Sequence, residues 1–220
     1  AMKMVAAAKF KRLSKKAVSS RQVLTETDYA LNQVSENIDD SSNIKYLRSF
    51  KTGKELILIV AGDKGLCGGF NSNVLKYVSQ YIESSSLESE IMLFGKKAIQ
   101  YFQKKGLTIV NEYEQFQDSL TVDSIDDLLN VVLSEYSTEK YEKIRLIYNE
   151  FKSAVSTNLI NKQLLPIQWS EAEEEVENED IIIEPDVTSV FNALSQSYIK
   201  YSLFNAFLES SAAEQGARMA

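Results

Sequence analysis

Residues 56–78 read LILIVAGDKGLCGGFNSNVLKYV. An unbroken apolar run comes first, a glycine-rich turn follows, and apolar residues at helical spacing close the stretch. A short apolar run bounded by glycine fits a strand buried on both faces. A strand, a glycine turn and a helix in that order bring backbone N–H groups together at a helix N-terminus, which suits an anion. The glycines, however, fall at Gly62, Gly65, Gly68 and Gly69, which is not G-x-G-x-x-G, and Lys64 is not in a G-K-[ST] sequence. The next apolar run ends in FGKKAI, with no acid to hold a ribose hydroxyl. Two readings therefore stand. One is a nucleotide-binding α/β enzyme using residues 62–69. The other is a structural turn in which Gly65, Cys67, Gly68 and Gly69 let strand, loop and another element pack closely.

Outward from this stretch, residues 54–168 alternate strand and helix signals. ELILIVAG, EIMLFG, LTIVNEY, KIRLIYNEF and LINKQLLPIQW read as strands. FNSNVLKYVSQYIESS, KKAIQYFQKKG and SIDDLLNVVLSEYS read as helices; Gly106 is a normal stop for the second, and Asp123 or Ser124 is the expected cap of the third. The alternation predicts an α/β fold, a Rossmann-like parallel or mixed sheet with helices on both faces. The acidic run SEAEEEVENED, 170–180, reads as a solvated loop within a segment 169–186.

The two ends differ from the middle. Ala6, Phe10, Leu13, Ala17, Ser20, Leu24, Thr27, Leu31, Val34 and Ile38 recur at alternating steps of four and three, a heptad seam. A helix over 2–38 would be roughly 55 Å long, and residues 1–50 form the N-terminal segment. From 187 to 220, Val187, Val190, Leu194, Ser197, Tyr201, Phe204, Leu208, Ser211 and Gln215 repeat the pattern, widened by Phe191, Tyr198 and Phe207. Matching seams at opposite ends of one chain predict a long antiparallel coiled coil of the two terminal helices.

Composition narrows the chemistry. The chain has 220 residues, a net charge of −7, one cysteine and no histidine. An intrachain disulfide is excluded, zinc ligation is disfavoured, and the commonest acid–base side chain near neutral pH is missing. No apolar run reaches the length of a membrane span. Lys3, Lys9, Lys11, Arg12, Lys15, Lys16 and Arg21 precede the first acid, Glu26, in an otherwise acidic chain. A basic helix on an acidic protein seeks a negative partner. Nucleic acid is disfavoured because the remaining charge would repel phosphates, and a membrane surface because the apolar seam is narrow. Acidic protein surfaces remain.

AMKMVAAAKF in the basic helix, GDKGLCGGFN after the first strand, IIIEPD before the last helix and SSAAEQGARMA at the end occur in the order seen in the gamma subunit of F-type ATP synthase. The resemblance covers essentially the whole chain. It implies a central-stalk rotor subunit without an active site or cofactor. Its helical pair would stand inside a ring of alpha and beta subunits, with the α/β domain below, against an epsilon-type subunit and the c-ring. It implies contact with the alpha/beta hexamer at Met2, Lys3, Lys9, Arg12, Glu214, Gln215 and Arg218, and contact with the c-ring and epsilon foot at Ile183 and Glu184. Ile181 and Ile183 stand where the family often carries tyrosine. The loop around Asp40 to Asn43 should face the ring. The glycine loop becomes a structural element. One cysteine cannot form the paired-thiol switch of chloroplast members. Family members extend beyond both ends of this sequence, so the expectation for the chain as given is poor coupling of rotation to catalysis. The membrane is met only through the c-ring. With no transit peptide visible, the expected location is the cytoplasmic face of the bacterial inner membrane, the mitochondrial matrix face being the alternative.

Overall fold

The computed structural model describes residues 1–41, 44–168 and 182–220; Ser42, Asn43 and residues 169–181, which include the acidic run 170–180 and Ile181, lie outside the described residues. Five strands form one mixed sheet in the order β3-β2-β1-β4-β5: β1 (Lys54–Val60), β2 (Glu88–Phe94), β3 (Thr108–Tyr113), β4 (Lys143–Ser153) and β5 (Ser156–Leu165). β1 to β4 run parallel and β5 returns antiparallel to β4. β1 is central, and all its residues from Glu55 to Val60 are buried. Because successive side chains point to opposite faces, Leu56, Leu58 and Val60 enter one core and Ile57 and Ile59 the other. The second core is closed by α2 (Phe70–Ser84) and α3 (Lys96–Phe102). The first is closed by α4 (Val122–Ser137) together with the two terminal helices, α1 (Met2–Ser35) and α5 (Val187–Met219). The expected α/β sheet with helices on both faces is thus the observed architecture.

Four expectations need correction. The first helix ends at Ser35, and Ile38 follows it in a turn that still packs on the core. α3 ends at Phe102; the chain reaches Gly106, at φ +72°, through turns. The cap of α4 is Thr121, not Asp123 or Ser124: its hydroxyl accepts from the Ser124 N–H at 3.1 Å, and the Ser124 hydroxyl accepts from the Thr121 N–H at 2.9 Å, a reciprocal capping box. The fourth concerns α5. Its seam was expected at Val187, Val190, Leu194, Ser197, Tyr201, Phe204, Leu208, Ser211 and Gln215. Of these only Leu208 is buried and the other eight are half-buried; in the widening set Phe191 and Phe207 are buried as expected, and Ser195, Ile199, Ser202 and Leu203, which the seam passes over, are buried as well. From Ala206 to Ser210 the helix is buried all round. A heptad seam assumes one partner; α5 has two, α1 on one side and the sheet with its loops on the other.

The helices do pair antiparallel, because the α5 contacts fall as the α1 numbers rise: Phe10 lies against Gly216, and Arg21 meets Glu209. On α1 the seam is as expected. Ala6, Ala17, Ser20, Leu31 and Val34 are buried, and Phe10, Leu13, Leu24 and Thr27 are half-buried.

Candidate functional site

A buried polar cluster lies at the joint between the helical pair and the sheet. β4 is longer than its neighbour: its last residue paired to β1 is Ile147, opposite Ile59, while the strand runs on to Ser153. Past that point the peptide groups on the β1 side lack a strand partner, and buried peptide groups need one. The terminal helices supply it. The Phe151 N–H donates to Glu209 Oε2 at 3.2 Å, and the Phe151 carbonyl accepts from Arg21 at 3.0 Å. Arg21 also grips Glu209 in a two-pronged pair, at 2.6 and 2.8 Å. The Glu209 side chain is 0 % exposed and that of Arg21 41 %. The pair holds the Arg21 guanidinium even more firmly protonated than usual: its hydrogen bond to Glu209 outweighs the cost of burial. The guanidinium also lies 5.3 Å from the centre of the Phe151 ring, and Phe10 meets that ring edge-on at 5.9 Å.

The glycine loop is the second part of the joint. In open α/β sheets ligands enter the crevice beyond the carboxyl ends of the strands. Here α5 fills that space. Phe207 packs at 5.0 Å on Phe94, the last residue of β2, and at 4.6 Å on Phe116. Leu208, Ala212 and Ala213 share a cluster with Ala17, Cys67, Phe70 and Phe151. A side chain on Gly62 would press on the Asn71 amide oxygen at 3.2 Å and on the Glu214 carboxyl at 3.3 Å. Inside the loop, Asn71 accepts from the Gly62 N–H at 2.7 Å and donates to the Lys64 carbonyl at 3.1 Å. Asp63 Oδ1 accepts from the N–H groups of Lys96 and Gln115, both at 2.9 Å, tying the loop to the ends of two neighbouring strands. Gln117 donates to the Ala61 carbonyl and accepts from the Ser211 hydroxyl on α5. Gly68 has φ +55° and Gly69 stands at the start of α2; the nearest group to Gly65 is the end of Lys97. Cys67 is buried, and burial pushes its thiol pKa up, which makes it a packed side chain and a poor nucleophile.

A third contact joins α1, β5 and α5. The Lys162 ammonium donates to the Ser202 hydroxyl at 2.9 Å and lies 4.5 Å from the centre of the Tyr198 ring. Burial pulls the Lys162 pKa down to about 8, against the opposing pull of Asp28 on α1. Below about 8 the lysine is charged in both folded and unfolded chains, so the cost of burying its charge is fully present. Between about 8 and the ordinary lysine value of 10.5 the unfolded chain holds more proton, so that cost is relieved as pH rises. Lys162→Met should therefore raise Tm at pH 7 by roughly 3 °C. The gap to the native chain should narrow at pH 9.5; thermal melts of both proteins at the two pH values check this.

The residues singled out for partner contact take two kinds of position. Met2, Lys3, Lys9 and Arg12 are exposed along the outer side of α1, with Met2 at 67 % and Met4 beside it at 78 %. Glu214, Gln215 and Arg218 are half-buried; Arg218 donates to Glu214 at 2.7 Å, and the pair packs over the glycine loop. Burial raises the Glu214 carboxyl pKa despite Arg218, with Asp118 and Asp63 adding to the rise. Ile183 packs against the main core, and Glu184 is exposed one residue on. Asp186 then caps α5, accepting from the Ser189 N–H at 2.8 Å, which lowers its carboxyl pKa. Arg21, read from the sequence as one more outward basic charge, points inward. The signal for that was its place next to the seam residue Ser20.

Two further carboxylates escaped the sequence reading because each stands at the polar start of an apolar run, where an acid ordinarily faces solvent. Glu55 accepts from Tyr81, Ser85 and Ser89 at 2.9, 2.9 and 3.2 Å, and Arg145 stands at 3.6 Å. Glu90 accepts from Tyr141 at 2.6 Å and from Lys140 at 2.7 Å. Both sit at the opposite end of the sheet from the glycine loop, fully partnered, and anchor strands. Among the described residues no group of acids, cysteines or histidines is placed to hold a metal ion, and no helix is long and apolar enough to cross a membrane.

An α/β domain whose ligand crevice is filled by its own terminal helix defines a class of protein built to hold a two-helix shaft. Known proteins agree with that class. The ATP synthase family model matches residues 1–220. The ATP synthase gamma chain of Chlorobaculum parvum is 32 % identical over 226 residues, covering 100 % of this chain and 77 % of the relative. That of Geotalea daltonii is 34 % identical over 223 residues, with the same coverage. Among solved structures, a chain of the central stalk and c-ring of the Tetrahymena thermophila mitochondrial ATP synthase shares the fold with a TM-score of 0.70 at 24 % identity. That match covers 99 % of this chain and 94 % of that one. The chain belongs to the ATP synthase gamma chain family and is a subunit of that complex.

Proposed function

We propose that this chain is the non-catalytic rotor of the complex. It couples proton-driven turning of a c-ring to conformational change, and hence to ATP synthesis or hydrolysis, in a hexamer of alpha and beta subunits. The observation that carries the reading is the joint: a shaft of two antiparallel helices fastened by buried polar contacts to a sheet domain. A rotor needs a stiff shaft and a foot that does not slip, and close-packed helices resist bending. In this reading Met2, Lys3, Lys9 and Arg12 face the hexamer from α1, and Glu214, Gln215 and Arg218 set the same contact from α5. Exposed charges of this kind set orientation and encounter more than affinity. Ile183 and Glu184 stand at the foot, toward the c-ring and an epsilon-type subunit. Gly65, Cys67, Gly68 and Gly69 are structural. The protein is peripheral, on the cytoplasmic face of a bacterial inner membrane.

Reconstitution tests this. With both helix ends extended from a related gamma chain, the protein is mixed with matched alpha and beta subunits and ATP hydrolysis is measured. Hydrolysis should rise on its addition, and deleting the added ends should remove the rise. A folded protein that neither assembles nor stimulates would overturn the rotor reading.

A further inference from the structure

We infer that the Arg21–Glu209–Phe151 cluster is the positioning element through which twist passes between shaft and foot. The inference rests on the rotor reading and names the residues within it. Around the cluster the contacts between the helical pair and the sheet domain are apolar, Ala17, Leu208, Ala212 and Ala213 against Cys67 and Phe70; the polar ones elsewhere, from Ser211 to Gln117, Lys162 to Ser202 and Lys200 to Asp126, tie α5 alone and leave α1 unfastened. Apolar burial has no direction, so a helix turned by a few degrees on such a surface exchanges one contact for another. The cluster does not permit this. Glu209 holds two prongs of Arg21 on α1 and the Phe151 N–H on β4 at once, and Arg21 returns to the Phe151 carbonyl. Charge-assisted hydrogen bonds are directional. Turning α5 about its axis, or α1 against it, draws a carboxylate that is 0 % exposed away from its partners, and an uncompensated buried charge is costly. The cluster also has leverage. It sits on the part of β4 that overhangs β1, and the same hairpin makes a second contact farther along the shaft. There Gly216 lets α5 approach the Ala154 carbonyl, which a side chain at 216 would meet at 3.0 Å. The hairpin therefore meets the helical pair at two levels, near 21 and 209 and near 10 and 216.

The test uses the complete chain in the assembled, membrane-bound complex. ATP hydrolysis and ATP-driven proton pumping are measured on the same vesicles for the native protein, Arg21→Gln and Arg21→Lys. Thr121→Ala, which loses the cap of α4 and none of the hydrogen bonds of Arg21, Glu209 or Phe151, serves as a control that is merely less stable. Arg21 is the milder partner to alter because it reaches solvent. In Arg21→Gln the protons pumped per ATP hydrolysed should more than halve, because the hexamer still turns the shaft while the foot lags. Arg21→Lys, which keeps the charge but not the fork, should fall between, and Thr121→Ala should keep the native ratio. A native ratio in Arg21→Gln, or a parallel loss of both activities like that of the control, overturns the inference. If the native chain itself gives no stimulation of hydrolysis, the rotor reading fails first.

Discussion

Gly95→Ala should prevent this protein from accumulating in folded form. Gly95 follows β2 and opens α3 at φ +97° and ψ 137°, outside even the left-handed pocket that other residues visit. Strain is the smaller part. A Cβ here would stand 2.2 Å from the Ala61 carbonyl oxygen and 2.9 Å from that of Gly62. Both are backbone atoms, so no side chain can swing away. The loop they belong to is fixed on every side: Gly95 N–H donates to the Tyr113 carbonyl, Lys97 N–H to the Gly62 carbonyl, and Asp63 takes the Lys96 and Gln115 N–H groups. To admit one methyl group, the ends of β1 and β2 must separate. A cost of about 4 kcal/mol or more is expected, against a total of about 5–15 kcal/mol for a domain. Gly53→Ala is the comparison. Gly53 also has positive φ, +76°, but nothing lies within 4 Å of its added carbon, so only strain of about 1 kcal/mol is expected. Soluble yield and urea unfolding of the two variants separate clash from strain. Equal losses would show that the approach of Gly95 to Ala61 is not what holds the loop.

How far the molecule could be read from its sequence depended on the number of partners each element has. β1 was legible because a run such as LILIV can only be buried on both faces. α1 was legible because for most of its length one face meets one helix, and the seam from Ala6 to Val34 records it. α5 was not, because between Ala206 and Ser210 it has neighbours all round; Glu209 and Ser210 are buried where a heptad would leave them wet. Periodicity reports the direction of burial, and it falls silent where burial has no single direction. The glycine loop shows the same limit in the candidate site. A strand, a tight turn and a helix predict a concave crevice, but what fills it comes from the far end of the chain. Nothing within 56–78 announces Phe207, Leu208 or Glu214. Arg21 was legible as a charge and illegible as a partner, since its acid lies 188 residues away.

Glu209→Ala should be the most damaging substitution on the shaft. Truncation removes two charge-assisted bonds to Arg21 and the acceptor for the Phe151 N–H, and leaves a guanidinium and a peptide group facing an apolar pocket. Removing one partner of a buried pair costs about 3–5 kcal/mol. Arg21 is partly exposed and can recover some hydration, so about 3 kcal/mol is expected here. Glu209→Gln keeps the shape and one acceptor, but its amide N–H groups meet the Phe151 N–H or the guanidinium, donor against donor; it should lose about 2 kcal/mol. The pair between Lys200 and Asp126 serves as the contrast. It is as short, 2.6 Å, but Asp126 is 47 % exposed, so Asp126→Ala should cost less than about 0.5 kcal/mol. Salt separates the two further. Screening acts on exposed charges far more than on buried ones, so the Glu209→Ala deficit should persist in 1 M salt on the order of its low-salt value, while the Asp126→Ala deficit should vanish. Urea unfolding at both ionic strengths provides the comparison. A Glu209→Ala loss below about 1 kcal/mol would mean that apolar packing alone seats the shaft. Cooperativity carries a second consequence. Because Glu209 reaches both α1 and β4, its loss should uncouple the helical pair from the sheet before either melts. The Glu209→Ala transition should then separate into two steps, with the amide hydrogens of α1 exchanging well ahead of those of β1.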